Sequence, residues 1–300
     1  MAHRRRPRVL VVYKKDAYRQ YLQEQRDAHL LRLLRRSHPD VLEMRRAHLV
    51  HEAALESSVR TLRLLPIEFD LVFRANLTLK KRYELVVSIG GDGTFLQAAR
   101  AVRQAPILGV NSNPARSEAV FCGATMTTFP RLVRRALAGT LPKTALFRLQ
   151  VRLNGRAIGP LALNDVLIVH DDPATMSRYR LRIGAREEFQ KSSGLWVASA
   201  AGSSSAVLAA GGVRLPWRSR RFQYRPRELY RGRLSRAQLT GGVLPPRTHV
   251  HVTWMMRGGS LFVDGPHVRV ALRFADHLEV YPSLSNPLHV LGLPRFTSRA

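Results

Sequence analysis

Residues 86–100 read VVSIGGDGTFLQAAR, a branched apolar run, then Gly90, Gly91 and Gly93 around the single acid Asp92, then Thr94 and a helix-like stretch. Strand, glycines, helix is the layout of a phosphate-binding turn. Glycine lets backbone approach a ligand closely, and a helix N-terminus offers free N–H groups and the positive end of its dipole. Two familiar versions are excluded. There is no G-x-x-x-x-G-K-[ST], and G-x-G-x-x-G fails because Leu96 stands where its third glycine belongs. An acid beside bound phosphates is repelled by them unless it has work there. Asp92 could hold a Mg²⁺ that bridges phosphates, accept a proton from a hydroxyl attacking phosphorus, or cap a helix beginning at Thr94.

A second constellation is Leu163-Asn164-Asp165-Val166. An amide and an acid at the head of a β-branched strand can read ribose hydroxyls or an adenine edge, or can simply make a polar turn. A third is KSSGLWVASAAGSSSAVLAAGGVRLP at 191–216, where Ser199, Ser203, Ser204 and Ser205 surround Gly202. Small hydroxyl residues at a strand-to-helix turn supply donors and allow close approach. The apolar flanks at 195–198 and 207–210 argue against a flexible Ser/Gly linker.

The elements that must carry these residues follow from patterning. Runs at 8–12, 67–73, 83–89 and 106–110 read as strands, and 16–36, 48–65, 94–102 and 129–137 as helices. This alternation predicts a parallel, Rossmann-like sheet with helices on both faces. After about residue 140, short strand-like runs at 146–153, 161–169, 179–183, 195–200, 249–254, 260–263 and 267–272 are separated by turn signals such as Asn154-Gly155 and Gly258-Gly259. The expected fold class is therefore an α/β N-terminal domain, 1–140, carrying the glycine loop, and a β-rich domain, 141–275. An apolar tail, 276–300, is expected to pack back on the first domain. The Arg-rich piece 216–236 reads as a mobile or ligand-covering loop.

Bulk properties narrow the classes. The formal charge is +28 over 300 residues, mostly from arginines spread along the chain. A basic site for phosphorylated ligands explains this better than nucleic-acid binding, for which a concentrated patch is expected. No apolar run is long enough to span a membrane, and the start resembles no signal peptide. The lone Cys122 excludes an internal disulfide and reads as a buried small residue, in keeping with a cytoplasmic setting. His249 and His251 share a strand face at a spacing compatible with a metal, though a polar strand face accounts for them. Arg148, Arg178 and Arg180 are candidate contacts to an anionic ligand.

Taken in order, the three constellations resemble the NAD kinase family, with its GGDGT loop, its Asn-acid pair opening a later strand, and its Gly-Ser-Thr-Ala-Tyr turn followed by Ala-Gly-Gly. The counterparts are Gly90 to Thr94, Asn164-Asp165, and Gly202 to Ala206 with Ala210-Gly211-Gly212; Val263-Asp264-Gly265 is similar to a late Asp-Gly element. GVNSNPARSEAVFC at 109–122 and Lys191 to Gly194 resemble the divergent mitochondrial-type branch and its bacterial relatives. The resemblance implies an NAD kinase-like two-domain fold. It also implies ATP-dependent phosphorylation of the adenosine ribose 2′-hydroxyl of NAD or NADH, with Mg²⁺ or another divalent cation. Asp92 would orient and deprotonate that hydroxyl or help hold the metal, and no other side chain is assigned to metal. Gly91, Gly93 and Thr94 would shape the phosphate pocket, and Asn111, Asn164, Asp165, Ser203, Ser204 and Ser205 would bind NAD. A homo-oligomer, dimer or tetramer, is implied, with no membrane and no nucleic-acid partner.

Two positions depart from the pattern. Ala206 stands where the family has an aromatic, and Asn113 where the mitochondrial branch has an acid. Base stacking on an aromatic contributes roughly 1–3 kcal/mol, so Ala206 forgoes that contact. The other readings compatible with the sequence are a catalytically weak nucleotide-binding or regulatory protein of the same fold, and a lipid or sphingoid kinase.

Overall fold

In the computed structural model, which describes residues 6–78, 81–233, 235 and 237–293, strand order follows from which runs can be buried on both faces. β1 (Arg8–Tyr13), β2 (Glu68–Phe73), β3 (Leu85–Gly90) and β4 (Ile107–Asn111) pair in parallel in the order β2-β1-β3-β4. Both central strands are continuous apolar runs, as a doubly covered sheet requires. Helices α1 (Ala28–Arg35), α2 (Pro39–Arg63), α3 (Asp92–Ala101) and α4 (Phe129–Leu137) accompany the sheet, and a two-residue strand, β5 (Ala124–Thr125), pairs with β4. One core joins Leu55, Val59 and Leu62 of α2 and Phe129, Leu132 and Val133 of α4 to Val9, Val11, Val87, Ile89, Leu108 and Val110.

The chain divides into two compact units, the first built on residues up to Thr144 with the segment from His289, the second on Ala145–Leu288. The second is antiparallel. Its strands are β6 (Lys143–Leu153), β7 (Arg156–Ala162), β8 (Asp165–Val169), β9 (Ser177–Ile183), β10 (Arg186–Ser192), β11 (Leu195–Ala198), β12 (Phe222–Pro226), β13 (Gly242–Leu244), β14 (Val250–Trp254), β15 (Ser260–Val263), β16 (Arg269–Ala271) and β17 (His277–Leu291), with one helical turn, α5 (Ala206–Ala209). One sheet has the order β13-β12-β11-β8-β15-β16; in the other, β10-β9-β14-β17 run side by side. Val166, Ile168, Val197, Phe222 and Leu261 from the first meet Leu181, Val250, Val252, Trp254, Leu278 and Val280 from the second in one core, a sandwich. The expected α/β part followed by a β-rich part is what the chain forms. No helix among the described residues is long and apolar enough to cross a membrane.

Several elements depart from the patterning. The helix expected over 16–36 is broken, because Arg26 takes a φ of 54° and Asp27 starts α1 by accepting from the N–H of Leu30 at 2.8 Å. The run 161–169 is two strands, not one, interrupted at Leu163-Asn164. Within the Arg-rich segment read as a loop, Phe222–Pro226 is strand β12, paired with β11 and β13, with Phe222, Gln223 and Tyr224 buried; residues 234 and 236 of that segment lie outside the described residues. The tail carries the long strand β17, although Pro282 and Pro287 argue against a strand. Both prolines fall between its pairing with β14, through residues 277–280, and its pairing with β4, at Val290. Residues 294–300 lie outside the described residues.

Candidate functional site

In an open parallel sheet the ligand crevice lies at the carboxyl ends of the strands. In the first unit those ends deliver Lys14 after β1, Arg74 after β2, Gly91 and Asp92 after β3, and Asn111 to Asn113 at the end of β4. Asp92 is the first residue of α3, whose cap residue is Gly91, and no side chain caps the helix. The capping reading of Asp92 therefore gives way to another role. One carboxylate oxygen accepts from the N–H of Val120 at 3.0 Å and the other from the N–H of Phe121 at 3.0 Å. Burial raises the pKa of Asp92 above its ordinary value, against these two bonds and with help from Glu118.

The loop is fitted to its neighbours. A Cβ on Gly90 would strike Thr94, and one on Gly91 would lie 2.9 Å from Ser117 Oγ, whereas one on Gly93 would meet only the Arg74 guanidinium at 3.6 Å, ordinary contact. Thr94 is buried, and Arg74 Nη1 lies 3.5 Å from its hydroxyl. Asn111 spends its amide on its own loop: Nδ2 donates to the carbonyl of Ser117 at 2.7 Å and Oδ1 accepts from the N–H of Asn113 at 3.0 Å.

Three residues at this edge escaped the sequence reading. His51, buried on α2, bridges Ser112 Oγ at 2.9 Å and the carbonyl of Lys14 at 3.0 Å, tying the end of β4 to the end of β1. Burial holds it below the usual imidazole range. Burial also lowers the ammonium of Lys14 and the guanidinium of Arg74, and Arg74 adds to the shift of Lys14. Two desolvated cations beside a glycine loop favour an anionic ligand. A basic residue directly after an apolar strand was the only signal for Lys14 and Arg74; His51 had none.

In the second unit, Asp264 occupies the turn after β15 with a φ of 50°. Its carboxylate accepts from three successive N–H groups, those of Leu163 at 2.9 Å, Asn164 at 2.7 Å and Asp165 at 3.2 Å. The Asn164-Asp165 pair is thus the fixed entry to a central strand, not a polar turn. Burial, and secondarily Asp264, pushes the Asp165 carboxyl up to about 7. The Asn164 side-chain oxygen is buried with no hydrogen-bond partner among the described residues. Such an atom is costly unless something supplies a donor.

The serine turn packs against this pair. A Cβ on Gly202 would collide with the backbone of Asn164. Ser199 donates through its N–H to the carbonyl of Asn164 at 2.9 Å and through its hydroxyl to that of Leu163. Ser203 is buried and spent on the backbone, donating to the carbonyl of Ala200 at 2.7 Å and accepting from the N–H of Leu215 at 2.8 Å. Ser204, Ser205 and Ala206 are half-exposed. Arg148 is buried, donating to the carbonyl of Asn286 at 3.1 Å and lying in the field of Asp264, so it is a structural cation. Arg178 and Arg180 are exposed on β9.

Comparison with known proteins gives the family. Residues 20–134 match the model of the ATP-NAD kinase N-terminal domain. A probable NADH kinase of Oryza sativa subsp. japonica is 36% identical over 219 residues, covering 66% of this chain and 67% of the relative. An NADH kinase of Arabidopsis thaliana is 30% identical over 256 residues, covering 77% and 80%. The chain belongs to the NAD kinase family. The NAD kinase fold extends over both units: a crystal structure of an NAD kinase from Archaeoglobus fulgidus in complex with ATP superposes with a TM-score of 0.65 at 20% identity, covering 95% of this chain and 94% of that one.

Two predictions follow from the NAD kinase turn in the second unit. Gly202→Ala forces Asn164 to move. It should destabilise the protein by at least the 1–3 kcal/mol typical of overpacking, read as a lower melting temperature. For Asp165, the folded carboxyl keeps its proton to about pH 7, while the unfolded one loses it in the ordinary carboxylate range. The folded state therefore binds more protons across that window, and stability falls as pH rises through it. Thermal melts of Asp165→Asn should show a flatter pH dependence there than the parent.

Proposed function

We propose that the chain transfers the γ-phosphoryl group of ATP to the 2′-hydroxyl of the adenosine ribose of NAD or NADH, giving NADP or NADPH and ADP. The observation that carries this reading is Asp92: a carboxylate aimed by two backbone N–H groups, raised above its ordinary pKa, on a glycine loop with Lys14 and Arg74 at the same sheet edge. Lys14 and Arg74 bind phosphate oxygens. Gly91 and Gly93 bring backbone N–H groups to them, and Thr94 holds the turn. Asp92 orients the hydroxyl and takes its proton as the new oxygen–phosphorus bond forms and the bond to the β-phosphate bridging oxygen breaks. Asn164 and Asp165 bind the nucleotide, the orphaned amide oxygen of Asn164 accepting a donor from it. Ser204 and Ser205 offer it hydroxyls. Asn111 and Ser203 act by holding the backbone of their loops.

Mg²⁺ suits this donor set, since that ion takes one or two carboxylates and completes its shell with phosphates and water. Asp92, half-exposed, with the exposed Glu118 close by, would hold it. When bound, the ion neutralises phosphate charge. The family resemblance supports a homo-oligomer, dimer or tetramer. A cytoplasmic setting suits Cys122, whose thiol burial pushes far up and keeps unreactive.

The test is an assay of NADP(H) from ATP, Mg²⁺ and either NAD or NADH. The parent should turn over, with a rate that rises with pH through an ionisation above the ordinary carboxylate range. Asp92→Asn should lose at least about a hundredfold, the usual scale for removing a general base, while its circular dichroism matches the parent. No product from folded protein with either substrate overturns the activity; parent-like rates in Asp92→Asn overturn the role of the carboxylate.

A further inference from the structure

The second unit carries a cluster that the kinase reading does not use. In the antiparallel pair of β14 and β17, His251 stands opposite Glu279 and Thr253 opposite His277. Val250, Val252, Trp254, Leu278 and Val280 fill the core. Strand alternation therefore sets His249, His251, His277 and Glu279 on the other face, with His249, His251 and Glu279 half-exposed. There His249, His251 and Glu279 each present a ligand atom, all within 4.8 Å of one another. His249 Nδ1 lies 2.7 Å from Glu279 Oε1. The His249 ring stacks on Tyr281 at 4.4 Å, and the His251 ring faces that of His277 at 5.6 Å, so neighbours fix both imidazoles.

The feature that separates this face from an ordinary polar one is His251 Nδ1, which is buried and has no hydrogen-bond partner among the described residues. The other cluster of this kind among the described residues, Asp16, His48 and Glu52, has its needs met: His48 bonds Asp16 at 2.8 Å and stacks on Tyr18, and Glu52 pairs with Arg19 at 3.5 Å.

We propose that His249, His251 and Glu279 form a zinc site, with a fourth position open to water or to His277. Two imidazoles and a carboxylate are the donors of a borderline cation such as Zn²⁺, whereas Mg²⁺ and Ca²⁺ select oxygen ligands. The ion takes the place of the proton that His249 shares with Glu279 and clips β14 to β17. Two cations oppose it. Arg182 stands opposite His251 on β9 with Glu187 at 3.9 Å, and Arg152 lies in the field of Glu279. Binding is therefore expected in the micromolar range, weaker than in closed structural sites.

The test uses the full chain without a histidine tag, stripped with chelator and titrated with ZnCl₂ by calorimetry, with Co²⁺ absorption as a second readout of the ligand set. The expected result is one Zn²⁺ per chain and a visible spectrum of low-coordinate Co²⁺. His251→Gln and Glu279→Gln should each weaken binding at least about tenfold, with His48→Gln unchanged. His249→Gln reads the same set if either variant fails to fold. Absence of stoichiometric Zn²⁺ binding, or binding that survives in His249→Gln and His251→Gln but is lost in His48→Gln, overturns the proposal.

Discussion

The glycine loop depends on a carboxylate that answers to backbone. Asp92 accepts from Val120 and Phe121, which locks the first turn of α3 to a loop that follows β4. His51 and the Gly90 carbonyl hold Ser112, and Glu43 holds Arg116, but the Asp92 clamp is what ties the far end of the segment, at Val120 and Phe121, to the glycine loop. The same atoms leave unused lone pairs on both oxygens, so one side chain can both shape the loop and receive a proton. A side chain at Gly91 would press on Ser117 within the loop that Asp92 clamps, whereas Gly93 has room for one.

The second unit repeats the device with different parts. Asp264 gathers three successive N–H groups at the head of β8, and the strand entry so fixed presents Asn164 and Asp165. Gly202 then packs on Asn164 with no room for a methyl. In both units an Asp organises backbone, and the orphaned Asn164 oxygen beside the second of them is one that a nucleotide can satisfy. Buried networks hold geometry when complete, and a gap in one marks a place for a ligand.

Much of this was legible in the sequence because glycines and lone acids have few structural uses. The order of Gly90 to Thr94, Asn164-Asp165 and the serine turn pointed to the family, and the change from 3.6-residue to two-residue periodicity identified the two kinds of architecture. The structural duties of Asn111 and Ser203 were not legible, because an amide or hydroxyl spent on backbone looks the same as one offered to a ligand. Lys14 and Arg74 were hidden among 49 basic residues, since only burial distinguishes them. β12 was hidden by the arginines that flank Phe222 to Tyr224 on both sides, and β17 by prolines whose missing N–H groups fall where neither β14 nor β4 pairs with it.

The pairing of Val290 with Ile107 bears on how the chain is made. The first unit is discontinuous: its last strand segment follows Ala145–Leu288 of the second unit in sequence. During synthesis at roughly 5–20 residues per second, β4 waits on the order of tens of seconds for that partner. Over that interval β5 covers the β4 edge at Val110 and Asn111, and the edge at Ile107 is open to other strands. The end of β4 is thus completed early by β5, and completion of the sheet at Ile107 is timed by the arrival of the last strand.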